Sequence, residues 1–423
     1  RDGFIDLYVA NISATNYLYH NNGDGTFTDV TEQANAQDFG IAMGSLFFDY
    51  DNDGDLDLYL THDANQPNIL YRNNGDGTFQ DVSSFSGANI AAQGMGVDFG
   101  DINGDGYFDL YITNLYSNEL LLNNGNGTFS VITESAGVGD MGMGWGTIFL
   151  DYDNDGRDDI YMVNDSYFAP FDNILYRNRG DNTFENISAN TPLSSPYAGY
   201  GVASSDVDDD GRPDLFIVNS GSDGNQLLIN RVQNEHHFLK VRLQGTESNR
   251  AAIGARVTVE AGGRQWMDEV CAGASYASHN SFTLHFGLGD ASNIDRLQVR
   301  WPNGLTETYE QLTADATYLL TEGAGIINNI TAIKQKAPGL QLFPNPTQQQ
   351  AFARVDISGS SGALLRLLRA DGLPVWELEI PEGAASEAIL LPVQELPAGL
   401  YYCQLLSRRG QAVQPLILTQ EER

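Results

Sequence analysis

One acidic loop of nine residues occurs four times in this chain at nearly constant spacing. The complete copies span 49–57, 101–109, 151–159 and 206–214, and Gly3-Phe4-Ile5-Asp6 is the remnant of a fifth. The loop glycines fall at 3, 54, 106, 156 and 211, so the steps are 51, 52, 50 and 55 residues. Self-similarity at a fixed period of this length is typical of repeat architectures such as propellers.

The loop carries oxygen side chains at positions 1, 3 and 5 and glycine at position 6, which is the pattern of a calcium loop. The candidate ligands at positions 1, 3 and 5 are Asp49, Asp51, Asp53, Asp101, Asn103, Asp105, Asp151, Asp153, Asp155, Asp206, Asp208 and Asp210. Position 7 varies, so Asp55, Tyr107, Arg157 and Arg212 are expected to bind through their backbone carbonyls. Position 9 adds Asp57, Asp109, Asp159 and Asp214. All-oxygen ligation favours calcium over zinc or copper, and magnesium is disfavoured because it prefers to keep its waters. We expect about one Ca²⁺ per complete loop, four in all.

Aliphatic and aromatic residues follow each loop, as in Leu58-Tyr-Leu60 and Leu110-Tyr-Ile112. They predict that the loop opens a β-strand. An EF-hand would need flanking helices and a glutamate at position 12, where this chain has aliphatic residues and methionine. Ordinary turn formation by Asp, Asn and Gly is the alternative reading of one copy. Four copies with the same chemistry at each position favour a metal site.

Two further elements repeat with the loop. Asn/Asp-Gly clusters at 21–27, 73–79, 123–129 and 178–184 predict hairpin turns. Asp24 and Asp76 in these clusters could be ligands, although turn formation explains them better. Before each loop lies a predicted inner strand with a glycine where backbones crowd, starting at Met43, Met95, Trp145 and Tyr200. Four strands in about 50 residues predict one propeller blade.

These motifs resemble the FG-GAP or VCBS repeats of integrin-type β-propellers over residues 1–235. The resemblance implies an all-β fold with a partial calcium-loop β-propeller of about four and a half blades. Because propellers have roughly 4–8 blades, we expect N-terminal blades outside this sequence.

The repeat stops near residue 236. The segments 249–259, 269–276, 285–289 and 297–304 resemble the ASPIC/UnbV domain that follows such propellers in proteins similar to cartilage acidic protein. This resemblance covers 236–322, implies a β-rich, sandwich-like module and supplies no catalytic residues.

Residues 323–340 are rich in Gly, Ala, Asn, Lys and Gln and predict a linker. The segments 342–346 and 396–404 then resemble the C-terminal sorting domain of the type IX secretion system of Bacteroidetes-type bacteria, a small β-sandwich expected over 341–423. This resemblance implies export by the type IX secretion machinery to the cell surface or the extracellular medium. The terminal segment lacks the lysine often found in that family, which leaves the processing of the tail open.

Charge is concentrated in the repeats. Residues 1–235 contain 37 acidic and 7 basic residues, and the basic ones are all arginine. Nucleic acid is therefore an unsuitable partner, since its phosphates need Lys and Arg. No apolar run is long enough to cross a membrane. Cys271 and Cys403 lie in different predicted domains, so we expect no disulfide and a buried thiol at Cys271.

We identify no catalytic residues in the sequence. Gly137-Val-Gly-Asp-Met-Gly142 matches a dinucleotide fingerprint in letters but precedes a predicted inner strand instead of a helix. His62, His279 and His285 are expected to be structural. The sequence favours a calcium-binding surface protein that recognises an extracellular glycan or protein with its blade loops. An extracellular carbohydrate-active enzyme with its site at the propeller centre, and a structural surface-layer component, are the alternatives.

Overall fold

The chain is almost entirely β-structure, which confirms the predicted fold class. The structure is a computed structural model that describes residues 2–165, 171–221, 224–331, 339–345, 347, 350–356, 362–369, 374–381, 388–394, 396–407 and 410–419. It divides into two compact units, 1–332 and 333–423. The helical part is limited to the single turns Ser83–Ser86 and Thr133–Ala136 among these residues.

Residues 2–228 form five antiparallel sheets, which we number 1 to 5 in chain order. Sheet 1 contains Leu7–Val9, Tyr17–Asn21 and Phe27–Asp29, and sheet 5 contains Gly199–Ser205, Asp214–Asn219 and Gln226–Leu228. The three sheets between them have four strands each. These strands are Ala42–Phe48, Asp57–His62, Ile69–Asn73 and Phe79–Asp81 in sheet 2, Gly94–Gly100, Asp109–Asn114, Glu119–Asn123 and Phe129–Val131 in sheet 3, and Gly144–Leu150, Asp159–Asn164, Ile174–Asn178 and Phe184–Asn186 in sheet 4. A two-stranded ribbon pairs Gln66–Pro67 with Ala91–Ala92. Strands that are consecutive within a sheet pair with each other, so each sheet is a meander, as predicted for a blade.

The sheets pack face to face. The second strand of sheets 2, 3 and 4 is buried on both faces, which explains why these strands are apolar throughout and do not alternate. Tyr161 of sheet 4, for example, is buried against sheet 5 in one shared core. Its counterpart in sheet 5, Phe216, is 45% exposed, and Leu7 in sheet 1 is likewise exposed. Sheets 1 and 5 thus present uncovered apolar faces, as the outer sheets of a partial propeller do.

Residues 237–331 form a module of two four-stranded sheets around one core, as expected for a sandwich. In order across each sheet, the strands are Thr283–Gly289, His237–Gln244, Ala316–Thr321 and Gly325–Thr331, and Arg264–Glu269, Arg256–Ala261, Asn293–Arg300 and Thr306–Thr313. Trp301 and Tyr318 are among the largest buried side chains of its core. We call this unit the β-module.

The predicted linker over 323–340 starts too early. Gly325–Thr331 is a strand that pairs antiparallel with Ala316–Thr321. Composition rich in Gly and Asn suggested a linker, whereas Ile326 and Ile330 give this segment the β-branched residues of an edge strand. Residues 332–338 lie outside the described part of the chain, and the other predicted domain boundaries stay predictions.

One loop of the β-module enters the repeat region. We call residues 271–281 the axial segment, because they run along the inner strands of sheets 2 to 5. Ser275 exchanges backbone hydrogen bonds with Val97 of sheet 3 (2.7 and 3.3 Å) and accepts one from the N–H of Thr147 of sheet 4 through its Oγ (3.0 Å). The Oδ1 of Asn280 accepts a hydrogen bond from the N–H of Ser204 in sheet 5 (2.9 Å).

Inner-strand glycines make room for this segment. A Cβ on Gly146 would lie 3.0 Å from Ser275 Oγ, and one on Gly201 would lie 2.6 Å from Ser278 Oγ. A Cβ on Gly44 would lie 2.7 Å from the carbonyl of Met95 in the next inner strand. The prediction that backbones crowd at these glycines is therefore confirmed.

The second unit, 333–423, contains two further sheets. Their strands are Gly339–Phe343, Ala351–Asp356 and Ala388–Leu391, and Pro374–Ile380, Ala363–Arg369, Gly399–Ser407 and Gly410–Leu418. Leu365, Leu367 and Leu405 are buried in a core shared by the two sheets. This arrangement agrees with the small β-sandwich expected for the tail. Cys403 is buried here, Cys271 is partly buried in the first unit, and both are free thiols.

Candidate metal centres in the repeat loops

The loop at 151–159 shows how one repeat gathers carboxylates. Asp151 accepts hydrogen bonds from the N–H groups of Asp155 (3.1 Å) and Gly156 (2.7 Å), which turns the loop back on itself. Gly156 allows this turn with a φ of +81°. One oxygen each of Asp151, Asp153 and Asp159 lie within 4.8 Å of one another. Three carboxylates therefore converge as a cation site requires.

Comparable clusters occur in two other loops. They are Asp49, Asp51 and Asp53, and Asp206, Asp208 and Asp210. In the loop at 101–109, Asn103 stands at position 3 and donates its Nδ2 to Asp105 Oδ2 (2.9 Å), while Asp101 accepts from the N–H of Asp105 (3.1 Å). That loop brings two carboxylates and one amide together.

A second left-handed residue, at position 4, escaped the sequence analysis. Position 4 has a positive φ in every complete loop: Asn52 (+64°), Gly104 (+70°), Asn154 (+59°) and Asp209 (+56°). Gly, Asn and Asp are the residues that tolerate this conformation, so the signal was present in the sequence. The side chains of Asn52 and Asn154 donate to the carbonyls of Gly106 (2.8 Å) and Gly211 (3.0 Å) in the following loop. Neighbouring loops are thus linked in pairs.

In three of the loops the position-7 side chain lies beside the hairpin turn of its own sheet. Asp55 lies beside Gly75, Tyr107 beside Gly125 and Arg157 beside Gly180. Arg157 and Arg212 also pair with the position-5 carboxylates of their own loops. This orientation explains why the position tolerates any side chain, and it agrees with a ligand role restricted to the backbone carbonyl, which stays a prediction.

The aspartate at position 9 has a structural role that the sequence analysis did not foresee. Its carboxylate accepts the position-2 N–H of its loop and the N–H of the asparagine that begins the hairpin. The two bonds are 3.1 and 2.7 Å for Asp57, Asp109 and Asp159, and 2.9 and 2.7 Å for Asp214. These side chains are fully or almost fully buried, so they organise the loop whether or not a metal is bound.

The hairpin asparagine joins neighbouring sheets. Asn123 Nδ2 donates to the carbonyl of Phe108 in its own sheet (3.1 Å) and to that of Tyr50 in the preceding loop (2.9 Å). Asn178 and Asn230 repeat the arrangement with Ile102 (2.8 Å) and Tyr152 (2.7 Å) of the preceding loops. Each of these asparagines therefore links two consecutive repeats through its side-chain hydrogen bonds. Asp24 and Asp76 instead bond the threonine two residues on, which confirms their role in turns.

The electrostatics of the loops favour a bound cation. Burial and the nearby Asp155 raise the pKa of Asp151 well above its usual range, and burial raises the pKa of Asp101 to about 6 and of Asp57 to about 9. The buried Oδ1 atoms of Asp49 and Asp155 have no hydrogen-bond partner within the described chain. A hard cation would satisfy these oxygens and stabilise the ionised carboxylates, so the residues present fit Ca²⁺.

A model for FG-GAP-like repeats matches residues 1–60, 49–112, 103–162 and 151–217, in register with the loops described above. These matches together cover more than half of the sequence. The chain belongs to the FG-GAP-like repeat family. A second model, for the ASPIC and UnbV domain, matches residues 245–327 within the β-module. Neither match indicates a catalytic family.

Cartilage acidic protein 1 from Xenopus tropicalis is 28% identical to the chain over 278 residues, covering 63% of the chain and 42% of that protein. The human protein of the same name is 28% identical over 280 residues, covering 63% and 41%. The chain thus spans about two fifths of the length of these relatives.

A solved structure of an Agrocybe aegerita lectin that recognises non-reducing terminal N-acetylglucosamine matches 67% of the chain and 82% of the lectin at 15% identity. Its TM-score of 0.33 is too low to support an argument about ligand or fold. In the part of the chain that the structure covers, helices long and apolar enough for a bilayer are absent.

The ASPIC/UnbV-matching module lies on the acidic loops of the FG-GAP-like repeats. Lys240 Nζ contacts Asp206 Oδ2 at 2.7 Å and Asp209 Oδ1 at 2.9 Å, and both Lys240 and the Asp206 side chain are buried. In the 49–57 loop, Asp49 pairs with Arg300 and Arg256. Carboxylates of these two loops therefore pair with cationic side chains of the β-module.

The remaining contacts of the β-module with the loops are mostly to backbone. Trp266 Nε1 donates to the carbonyl of Gly156 (3.0 Å), and His285 Nε2 lies 3.1 Å from that of Gly211. Arg256 also pairs with the buried Glu269 (3.2 Å). Burial, acting against the attraction of Arg256, raises the pKa of Glu269 to about 7. Sequence reasoning treated the two domains separately and missed this shared site.

Proposed function

We propose that the chain belongs to an extracellular binding or adhesion-type protein whose repeat loops hold calcium and present a rigid surface to a glycan or protein ligand. The observation that carries this proposal is the recurrence of converging carboxylates in loops that also join neighbouring sheets. Similarity to cartilage acidic protein 1 supports an extracellular location, where calcium is plentiful enough for weak sites with affinities of roughly 10⁻⁴–10⁻³ M.

Calcium would be held by the residues at positions 1, 3 and 5 and the carbonyl at position 7, with position 9 beneath them, in each of four loops. The ion would supply the positive charge that the buried carboxylates need. Fixing the loops would in turn fix the strands that start from them, because each loop leads directly into a second strand.

Structural support is weaker for an enzyme whose site lies at the propeller centre. The axial segment contacts the inner strands of sheets 2 to 5, so the space beside these strands is filled by protein. The alternative of a carbohydrate-active enzyme therefore has less support than the binding function in the described part of the chain.

We propose that the unit at 333–423 is a sorting domain recognised by type IX secretion machinery, with its separate core as the supporting observation. The test is deletion of 341–423 from the whole protein in a Bacteroidetes-type host. Loss of the protein from the cell surface and medium is expected. Unchanged export would show that these residues are not the signal.

The binding function is tested by screening the full chain on glycan arrays and extracellular-protein arrays in calcium and in EGTA. We expect saturable binding that requires calcium. Self-assembly without any bound ligand would instead favour a structural surface-layer role. Binding to neither array in calcium would contradict the proposal.

A further inference from the structure

The first candidate ligand of the loop at 206–214 is held by a lysine of the β-module. Asp206, at position 1, pairs with Lys240, and the two side chains are only 5% and 6% exposed. The second partner of Lys240 is Asp209, at position 4 of the same loop and 86% exposed. Asp206 also accepts the N–H groups of Asp210 (3.0 Å) and Gly211 (2.8 Å), so the loop is already folded around this carboxylate. A buried cation therefore stands at the oxygen atoms that calcium would need.

Lys240 is fixed in a way that the other cation at this loop is not. Arg231 contacts Asp208 (2.7 Å) and Asp210 (3.1 Å), but its side chain is 61% exposed and can turn into water. Lys240 instead lies in the strand His237–Gln244, most of whose apolar residues belong to the core of the β-module. Its ammonium group can leave the loop only by giving up a buried position.

A divalent ion and this ammonium group would compete for the same carboxylate. Calcium needs an oxygen of Asp206 together with those of Asp208 and Asp210, the three that converge in this loop. With the ammonium 2.7 Å from Asp206, a bound calcium ion would bring like charges close together in a buried place, where solvent screens them little. The ion has two charges and more ligands, so it displaces the ammonium when calcium is abundant. The lysine holds the carboxylate when calcium is scarce.

The loop at 151–159 shows that a docked β-module need not conflict with a metal ion. There the β-module approaches the position-1 ligand with a glycine: a Cβ on Gly287 would lie 1.8 Å from Asp151 Oδ2. The carboxylates of this loop pair with Arg157 and Arg177, which belong to the repeats and are 38% and 42% exposed. Calcium could therefore enter this loop without displacing a buried cation of the β-module.

The loop at 49–57 is an intermediate case. Asp49 pairs with Arg300 and with Arg256, which is 7% exposed. Arg256 is also held by Glu269 (3.2 Å), and Asp49 Oδ1 has no hydrogen-bond partner within the described chain. One oxygen of this position-1 ligand thus stays available to a cation, whereas both oxygens of Asp206 already have partners.

We propose that Lys240 competes with calcium for Asp206, so that loading of the loop at 206–214 releases this lysine from its buried position. The β-module stays attached meanwhile, because its axial segment bonds to inner strands and not to the loops. Coupling between two binding events is reciprocal, so the docked lysine also lowers the calcium affinity of this loop. This inference rests on the proposed calcium binding and adds its regulation: one of the four loops is loaded last, and its loading changes a contact of the β-module.

The test measures how fast an amine-reactive reagent labels Lys240 in the full chain, by mass spectrometry, in EGTA and across a calcium titration. A buried, ion-paired amine reacts slowly, so we expect labelling of Lys240 to be at least fivefold faster in saturating calcium, normalised to an added lysine peptide. Asp208→Asn weakens the metal site without changing an ion-pair partner of Lys240, and it should move this increase to at least tenfold higher calcium. Asp295→Asn, which changes an exposed carboxylate of the β-module, is the matched control and should respond as the parent does.

Unchanged or slower labelling of Lys240 in calcium would overturn the competition, because the lysine and the ion would then share the loop. An equal response of the parent and Asp208→Asn would also overturn it, because the change would then arise from another loop. Equilibrium dialysis of the same samples against radioactive calcium separates this proposal from the calcium assignment. If calcium binds while the labelling stays constant, only the competition fails. If the parent binds no calcium, both proposals fail.

Discussion

Replacing Asn123 with alanine should destabilise the repeat region far more than its position at a polar turn suggests. Asn123 is 1% exposed, and its side chain makes three hydrogen bonds. Its Nδ2 donates to Tyr50 O (2.9 Å) and Phe108 O (3.1 Å), and its Oδ1 accepts from the N–H of Gly125 (3.0 Å). The substitution leaves two carbonyls in or beside acidic loops without this donor. A buried polar group that loses its partner costs about 1–3 kcal/mol.

Two carbonyls lose their donor, but water can reach part of the hairpin and partly replace it. We therefore expect the free energy of unfolding to fall by about 3 kcal/mol. The neighbouring Asn124 is the matched control, because its bonds to Thr128 Oγ1 (2.9 Å) and from Ser130 Oγ (3.0 Å) are exposed. Asn124→Ala should cost less than about 0.5 kcal/mol.

The assay is urea unfolding of the full chain in saturating calcium, followed by circular dichroism. With an m-value of about 3 kcal/mol/M, Asn123→Ala should lower the first midpoint by about 1 M and Asn124→Ala by less than about 0.2 M. Equal midpoints for the two variants would refute a stabilising role for the Asn123 hydrogen bonds between neighbouring sheets. Calcium titration gives a second readout, since Tyr50 lies in the 49–57 loop and its displacement should weaken that site.

Three further results are expected. Chelation with EGTA should lower the melting temperature of 1–332 but not that of 333–423 in calorimetry, because the free energy of unfolding falls by about 2 kcal/mol for each loop whose Kd lies about twentyfold below free calcium. Unchanged melting would contradict the metal assignment. Lys240→Met should raise the calcium affinity of the 206–214 loop in isothermal titration, because a cation 2.7 Å from Asp206 repels the ion; an unaltered isotherm would refute this competition. Burial would lower the pKa of His62, but its 2.9 Å bond to Asp38 raises it overall. The stability that this pair contributes should therefore be fully present below about pH 6.5 and be lost as pH rises through the raised pKa. His62→Gln should flatten the dependence of melting temperature on pH, and an unchanged profile would exclude the pair as its source.

Much of the repeat architecture follows from the sequence, because its signals are local. The loop glycines, the apolar second strands and the Asn/Asp-Gly turns each act within a few residues. A single copy could be an ordinary turn, whereas four copies with the same residue types at each position favour a repeated loop of defined structure. The same reasoning located the converging carboxylates, since alternate residues of a tight loop face one point. The positive φ at position 4 could also have been predicted from its Asn, Gly and Asp residues. The sequence analysis did not predict it, because it considered only the positions that could supply metal ligands.

Contacts between repeats and modules could not be read in the same way. Asn123 looks like a turn residue in the sequence, and only the stacking of sheets shows that its second donor reaches Tyr50. Nothing near Lys240 in the sequence points to an acidic partner, and its position against Asp206 depends on how the β-module docks. The edge strand Gly325–Thr331 has the composition of a linker, and its pairing with Ala316–Thr321, not its composition, determines its structure.

The axial segment has a consequence for how this protein can change during evolution. Repeats that contact only their neighbours can be duplicated or lost singly, because each new junction resembles the old ones. Residues 271–281 instead touch four consecutive inner strands, each at a different residue, from Cys271 at Phe47 to Asn280 at Ser204. Deleting one of these repeats would leave part of the segment facing the wrong strand. The segment therefore constrains the number and order of the repeats that it contacts.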